Sequence, residues 1–133
     1  MRMSPTRPTR RGAAAVEMAL ITPVLLALTM GIMDWAWFLV DYQQVLHASQ
    51  AGVRTGAQTE SGSDPAGKGE TQAREVLAAS YLGGVPDGAT YTGTIINGNT
   101  LQLVVSVPFR PLVGMVPVPD LVRATALMRV EDM

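Results

Sequence analysis

Arg10-Arg11-Gly12-Ala13-Ala14-Ala15-Val16-Glu17-Met18-Ala19-Leu20-Ile21-Thr22-Pro23-Val24-Leu25-Leu26-Ala27-Leu28 opens a stretch that continues through Met33 to Trp35, Trp37, Phe38 and Val40. No charged residue lies between Met18 and Met33. With Trp35 to Val40 added, the mostly apolar span exceeds the roughly 20 residues that cross a hydrocarbon core. A backbone in lipid has to satisfy its own hydrogen bonds, so a single apolar segment of this length is expected to be a helix, with Pro23 a tolerable kink near its entry. The reading is a transmembrane helix over 13–40, with Trp35, Trp37 and Tyr42 suited to the outer membrane-water boundary, where amphipathic rings collect.

Working outward, Glu17 sits at the inner edge of the apolar run. An unpaired carboxylate deep in a bilayer costs on the order of 2.5 to 3.5 kcal/mol on insertion scales, and less near the interface. No Lys, Arg or His lies between Gly12 and Val40 to offset that cost. A partner would have to come from another chain or from a newly exposed amine. Cleavage after Gly12 would create one on Ala13, and Glu17 would then be the fifth residue of the mature chain.

The charges are unevenly distributed. Arg2, Arg7, Arg10 and Arg11 precede the span, leaving six basic against eleven acidic residues for the remainder. By the positive-inside rule this places residues 1–12, a basic leader, in the cytoplasm and residues 41–133 outside it. Pro5, Pro8 and the lack of apolar periodicity make the leader read as disordered. Four arginines could also contact phosphate, but the span that follows directly favours topology over nucleic-acid binding. The run is longer than the apolar core of a cleaved secretory signal, so a signal anchor is the better reading. The chain contains no cysteine. Disulfides, thiolate zinc sites and thiol nucleophiles are thereby excluded.

Beyond the span, Trp35, Phe38, Leu39, Tyr42, Val45, Leu46, Ser49 and Val53 recur at three- and four-residue spacing, with Asp34, Asp41, Gln43, Gln44, Gln50 and Arg54 mostly on other faces. This predicts that the same helix continues as an amphipathic one. Ala48, Ala51, Gly52, Gly56 and Ala57 are small enough for close approach of another element, either this protein's own sheet, the simpler reading, or another subunit. His47 is the single histidine and reads as surface or interface rather than as a ligand or catalyst.

Gln58 to Gly69 reads as a solvated loop, and Glu70 to Tyr81 as a short second helix ended by Gly83-Gly84, with Glu70, Arg74 and Glu75 on its exposed face. Asp64 in that Gly-rich loop has few acidic neighbours, so a solvated loop is preferred to a cation site. After Pro86-Asp87-Gly88 the period becomes two. Thr90 to Ile96 and Leu101 to Val107 flank Asn97-Gly98, a favoured hairpin turn. Pro108 to Asp120 carries four prolines, with Phe109 and Met115 as exposed apolar residues, and reads as a long loop or edge. Leu121 to Glu131 alternates again, with Val122, Ala124, Ala126, Met128 and Val130 on one face. The fold class is α+β: a long N-terminal helix, a short second helix and a small three-stranded antiparallel sheet.

The Gly12-Ala-Ala-Ala-Val-Glu17 segment, between a basic leader and an apolar helix, resembles the processing site of type IV prepilins. Over the longer chain, Gly12 to Pro23, the helix extension Ala48 to Ala57, the strand end Val105-Ser-Val-Pro-Phe109 and the closing Arg123 to Glu131 resemble the TadE-like family, pseudopilins of the tight-adherence (Flp) pilus system. The family usually has an aromatic residue after the Glu, and here it is Met18. The preference over the sibling TadF-like proteins rests on the terminal strand.

The resemblance implies a minor, pilin-like component of pilus assembly, neither the bulk filament subunit nor an enzyme, cut between Gly12 and Ala13 by a prepilin peptidase. It implies that Glu17 pairs with a neighbour's amine. The implied partners are the peptidase, other pseudopilins and pilins and the inner-membrane assembly machinery; the implied place is the bacterial inner membrane, single-pass, with possible incorporation into the pilus. No metal-ligand spacing, phosphate loop or Ser-His-Asp arrangement suggests a cofactor or a reaction. The alternative is an uncleaved, single-span extracytoplasmic binding protein.

Overall fold

The computed structural model describes residues 11–60, 63–81, 83–114 and 116–130. The leader, up to residue 10, and the expectations placed on Met115 and Glu131 lie outside the described residues. The order of elements is α1 (Arg11–Ala57), α2 (Pro65–Ser80), β1 (Thr90–Ile96), β2 (Thr100–Pro108) and β3 (Leu121–Arg129). The strands form one antiparallel meander in the order β1-β2-β3. This is the α+β architecture read from the sequence.

The central strand supplies most of the core. Leu101, Leu103, Val105 and Val107 are all fully buried, as their alternation predicts. From β3 come Val122, Ala124 and Ala126, which follow the same rule, whereas Met128 at the end of the strand is 41% exposed. Burying aliphatic side chains of this size contributes about 1.5–3 kcal/mol each. The turn from β1 to β2 works as the Asn-Gly pair requires: Asn97 and Gly98 both adopt positive φ, 53° and 75°.

Both helices cover the buried face of this sheet. The small residues of α1 serve that purpose. A Cβ on Gly52 would lie 2.5 Å from the Gly69 carbonyl oxygen and 2.5 Å from Leu103 Cδ2, and one on Gly56 would meet Leu101 and Pro65. The close approach is therefore made within this chain, by α2 as well as by the sheet.

Several local expectations are corrected. The second helix starts at Pro65, five residues before Glu70, because Asp64 caps it: the Asp64 carboxylate accepts from Gly67 N at 3.0 Å and proline occupies the first turn, where its missing N–H costs nothing. Glu70 is not simply a solvated charge. Its Oε1 accepts from Gly93 N at 2.6 Å, fastening α2 to the outer edge of β1. Phe109, expected to be exposed, is buried with its ring edge-on to Phe38 at 5.3 Å.

The stripe on α1 is also rotated from the one expected. Asp34 and Asp41 are on the buried side, while Trp35, Leu39 and Tyr42 are exposed. The buried line runs through Gly31, Asp34, Asp41, Val45, Ala48, Ser49, Gly52, Val53 and Gly56, with Phe38 and Leu46 half-buried. Counting each aspartate as outward-facing shifted the pattern. Both carboxylates are tolerated inside because each is supplied with hydrogen-bond donors.

Candidate functional site

Residues 12–29 of α1 are exposed throughout. They include Val16, Met18, Leu20, Ile21, Val24, Leu25, Leu26 and Leu28, each more than half exposed. A continuous apolar surface of this kind requires a non-aqueous neighbour. The helix is long and apolar enough to cross a membrane, and only 6% of its most apolar window is buried within the fold, unlike the core helix of a soluble domain. Inside this segment the hydroxyls of Thr22 and Thr29 donate to the carbonyls of Met18 and Leu25 at 2.7 and 2.8 Å, so neither needs an external partner.

Gly12, Ala13 and Glu17 lie on the first turns of α1, all exposed. A Cβ on Gly12 would meet nothing within 4 Å. Ala13 and Glu17 are four residues apart and so share one face, separated by about 6 Å along the axis. Trp35 is 44% and Tyr42 38% exposed, with Trp37 half-buried between them. Trp35 stacks edge-on against Phe38 at 5.7 Å, and Phe38 in turn holds Phe109. His47 is exposed.

Sequence reasoning missed the two buried aspartates. Asp34, fully buried, accepts from Val113 N at 2.8 Å through Oδ1 and from Gly114 N at 3.1 Å through Oδ2. Its carboxylate thus caps the chain reversal in the long connection between β2 and β3, whose ends are closed by Phe109 N donating to Asp120 O at 2.9 Å. Asp41 Oδ2 accepts from the Tyr81 hydroxyl at 2.7 Å, tying the end of α2 to the long helix. Burial raises the Asp41 carboxyl above its usual range, partly opposed by the Tyr81 hydrogen bond. Burial, reinforced by that carboxylate, also raises the Tyr81 phenol. The available signal was the seven-residue spacing of Asp34 and Asp41, in line with Val45, Ala48 and Gly52 at alternating steps of three and four.

Among the described residues the arrangement brings together no group of three or more His, Cys, Asp or Glu positioned to hold a metal ion. What it offers is a bare apolar rod with one acidic residue near its head, joined to a packed domain. No curated protein and no solved structure matches the chain. The family described as TadE-like protein matches residues 12–54, from the glycine at the head of the bare segment to the arginine in the last turn of α1, so that over its long helix the chain is similar to that family.

Proposed function

We propose that this chain is a minor, non-enzymatic pilin-like component of the tight-adherence pilus machinery, held in the bacterial inner membrane by α1 and matured by a prepilin peptidase between Gly12 and Ala13. The observation that carries the reading is the coincidence of the TadE-like match, which begins at residue 12, with an apolar helix left bare by the fold. The geometry of the head of α1 supports it further. Gly12 is exposed with open space about its Cα. A glycine in a helix costs roughly 1 kcal/mol relative to alanine, which favours local opening of the first turn for a protease.

After cleavage the Ala13 amine and the Glu17 carboxylate of neighbouring copies, or of this chain and another pilin-like subunit, pair within the membrane. Each charge alone is costly in lipid, and the pair is cheaper than the sum. The basic leader remains on the cytoplasmic side, and the sheet with α2 stands outside.

The test is the intact mass of the membrane-purified protein, expressed with and without an active prepilin peptidase. A chain beginning at Ala13, lost on replacement of Gly12, is expected. A full-length chain in the presence of the active peptidase contradicts processing and leaves the uncleaved membrane-anchored binding protein as the account.

A further inference from the structure

The connection from Phe109 to Asp120 lies against the apolar helix at three levels. Phe109 packs on Phe38, the amides of Val113 and Gly114 are held by Asp34, and Val116 lies over Gly31, where an added Cβ would come within 2.8 Å of Val116 Cγ2. These contacts descend the helix toward its N-terminus. Val116 thereby borders an apolar groove along α1 that includes Val24, Leu28 and Ile32.

Length decides what surrounds this connection if α1 spans a bilayer, the reading on which this inference rests. A hydrocarbon core of about 30 Å takes roughly 20 helical residues. Starting from Ala13, about 20 residues reach Met33, and starting from Glu17 they reach Trp37. A boundary placed below Gly31 would leave a span counted from Glu17 of only about 21 Å. On either count the level of Gly31, and with it Val116, falls inside the apolar core, and Asp34 lies at its edge.

The composition of the connection suits that position. Irregular backbone is tolerated at membrane depth only where its polar groups are satisfied. Pro108, Pro111, Pro117 and Pro119 have no N–H to satisfy. Val113 and Gly114 give theirs to a carboxylate that is itself fully buried. The large apolar residues turned outward at the reversal are Leu112 and Val113, 58% and 39% exposed, flanked by exposed Pro111 and Gly114, with the charged Arg110 exposed at the start of the connection.

We propose that this connection is a membrane-inserting hook: Leu112 and Val113 enter the acyl chains of the leaflet on the domain's side, beside α1, and Asp34 holds them there. The occupant of this apolar surface is lipid, so the domain is attached to the bilayer at two places rather than one.

The absence of cysteine gives a clean background for the test. Single variants Leu112→Cys, Leu25→Cys in the middle of the bare segment, and Thr94→Cys near the hairpin are labelled with an environment-sensitive fluorophore. The full chain is reconstituted at low density in phosphatidylcholine–phosphatidylglycerol vesicles containing lipids with a nitroxide high on the acyl chain. Quenching at position 112 is expected to exceed that at 94 severalfold, with clear quenching also at 25. Quenching at 25 with 112 no different from 94 overturns the hook and leaves the span intact. No quenching at 25 overturns the membrane reading itself. A blue-shifted but unquenched label at 112 means that protein, such as a second copy, covers the surface, and overturns the assignment to lipid. Adding Asp34→Ala is expected to reduce quenching at 112 at least twofold; unchanged quenching overturns the holding role of Asp34, with Asp34→Asn as the substitute where the alanine variant does not fold.

Discussion

The two halves of α1 are continuous in backbone and opposite in use. Up to Thr29 its large aliphatic side chains are exposed, whereas from Gly31 onward its buried line is made chiefly of glycine, alanine, serine and aspartate with two valines. Along α1, therefore, large apolar residues do not mark the side that packs on the domain. The packed half succeeds by being thin, so that Gly69, Ala73 and Leu103 reach the helix backbone. The bare half is thick and greasy because what it meets is a solvent of acyl chains, which rewards apolar surface without demanding an interlocking fit.

Placing a branched side chain in the packed half should break this contrast most severely. Gly52→Val drives its side chain into the Gly69 carbonyl and Leu103, and is expected to cost upwards of about 3 kcal/mol, enough to unfold a marginal domain. Denaturant unfolding of the full chain in detergent, followed by near-ultraviolet circular dichroism, would measure it. A variant as stable as the parent would show that α2 can move away freely.

Next in size is Asp34→Ala, which strands the Val113 and Gly114 amides. Both hydrogen bonds are only part-buried, so their loss falls toward the lower end of the about 1–3 kcal/mol that an unsatisfied donor costs, and exchange at these two amides should accelerate about tenfold while the β2 amides keep their protection. Equal acceleration across the sheet would mean that Asp34 supports the whole domain and not the connection alone.

Asp41→Asn sharpens the comparison within the packed half. Because burial raises the folded-state pKa of Asp41, the folded protein holds that proton more tightly than the unfolded chain. The contribution favours folding below the unfolded carboxylate pKa, near 3.9, and is lost as pH rises through the raised folded value. Asparagine keeps an acceptor for Tyr81 without the charge. It is expected to melt at or above the parent temperature near pH 7, with the gap closing toward about pH 4. A variant uniformly less stable at every pH would contradict this assignment.

The smallest effect belongs to the bare half. Leu25→Ala is expected to change domain stability by less than about 0.5 kcal/mol, since Leu25 is 62% exposed. A loss like that of a core leucine would reveal a contact with the domain.

The legibility of the sequence follows from how its residues are satisfied. Leu101, Leu103, Val105 and Val107 could be read directly because alternation alone puts them on one face, and Asn97-Gly98 because few other residues accept two positive φ values. Glu17 and Gly12 could be picked out for their positions relative to the apolar run. Asp34 and Asp41 signal their burial only through a seven-residue spacing, and neither they nor Glu70 disclose their partners, Val113 and Gly114, Tyr81 and Gly93, which are distant in sequence. Phe109 was misplaced for a related reason: a proline-rich neighbourhood describes the backbone and says nothing of where an aromatic ring is received.

The single proline of α1, Pro23, lies below the lowest contact of the β2–β3 connection, at Gly31. Above that contact the helix is splinted along successive turns by the sheet, by α2 and by the connection. At Pro23 one backbone hydrogen bond is missing, and proline is where helices bend. In mechanical terms the upper part is a braced beam and Pro23 is the compliant joint beneath it. A lateral load on the domain would be relieved by bending between Thr22 and Gly31, and the head carrying Glu17 would keep its direction while the domain swings.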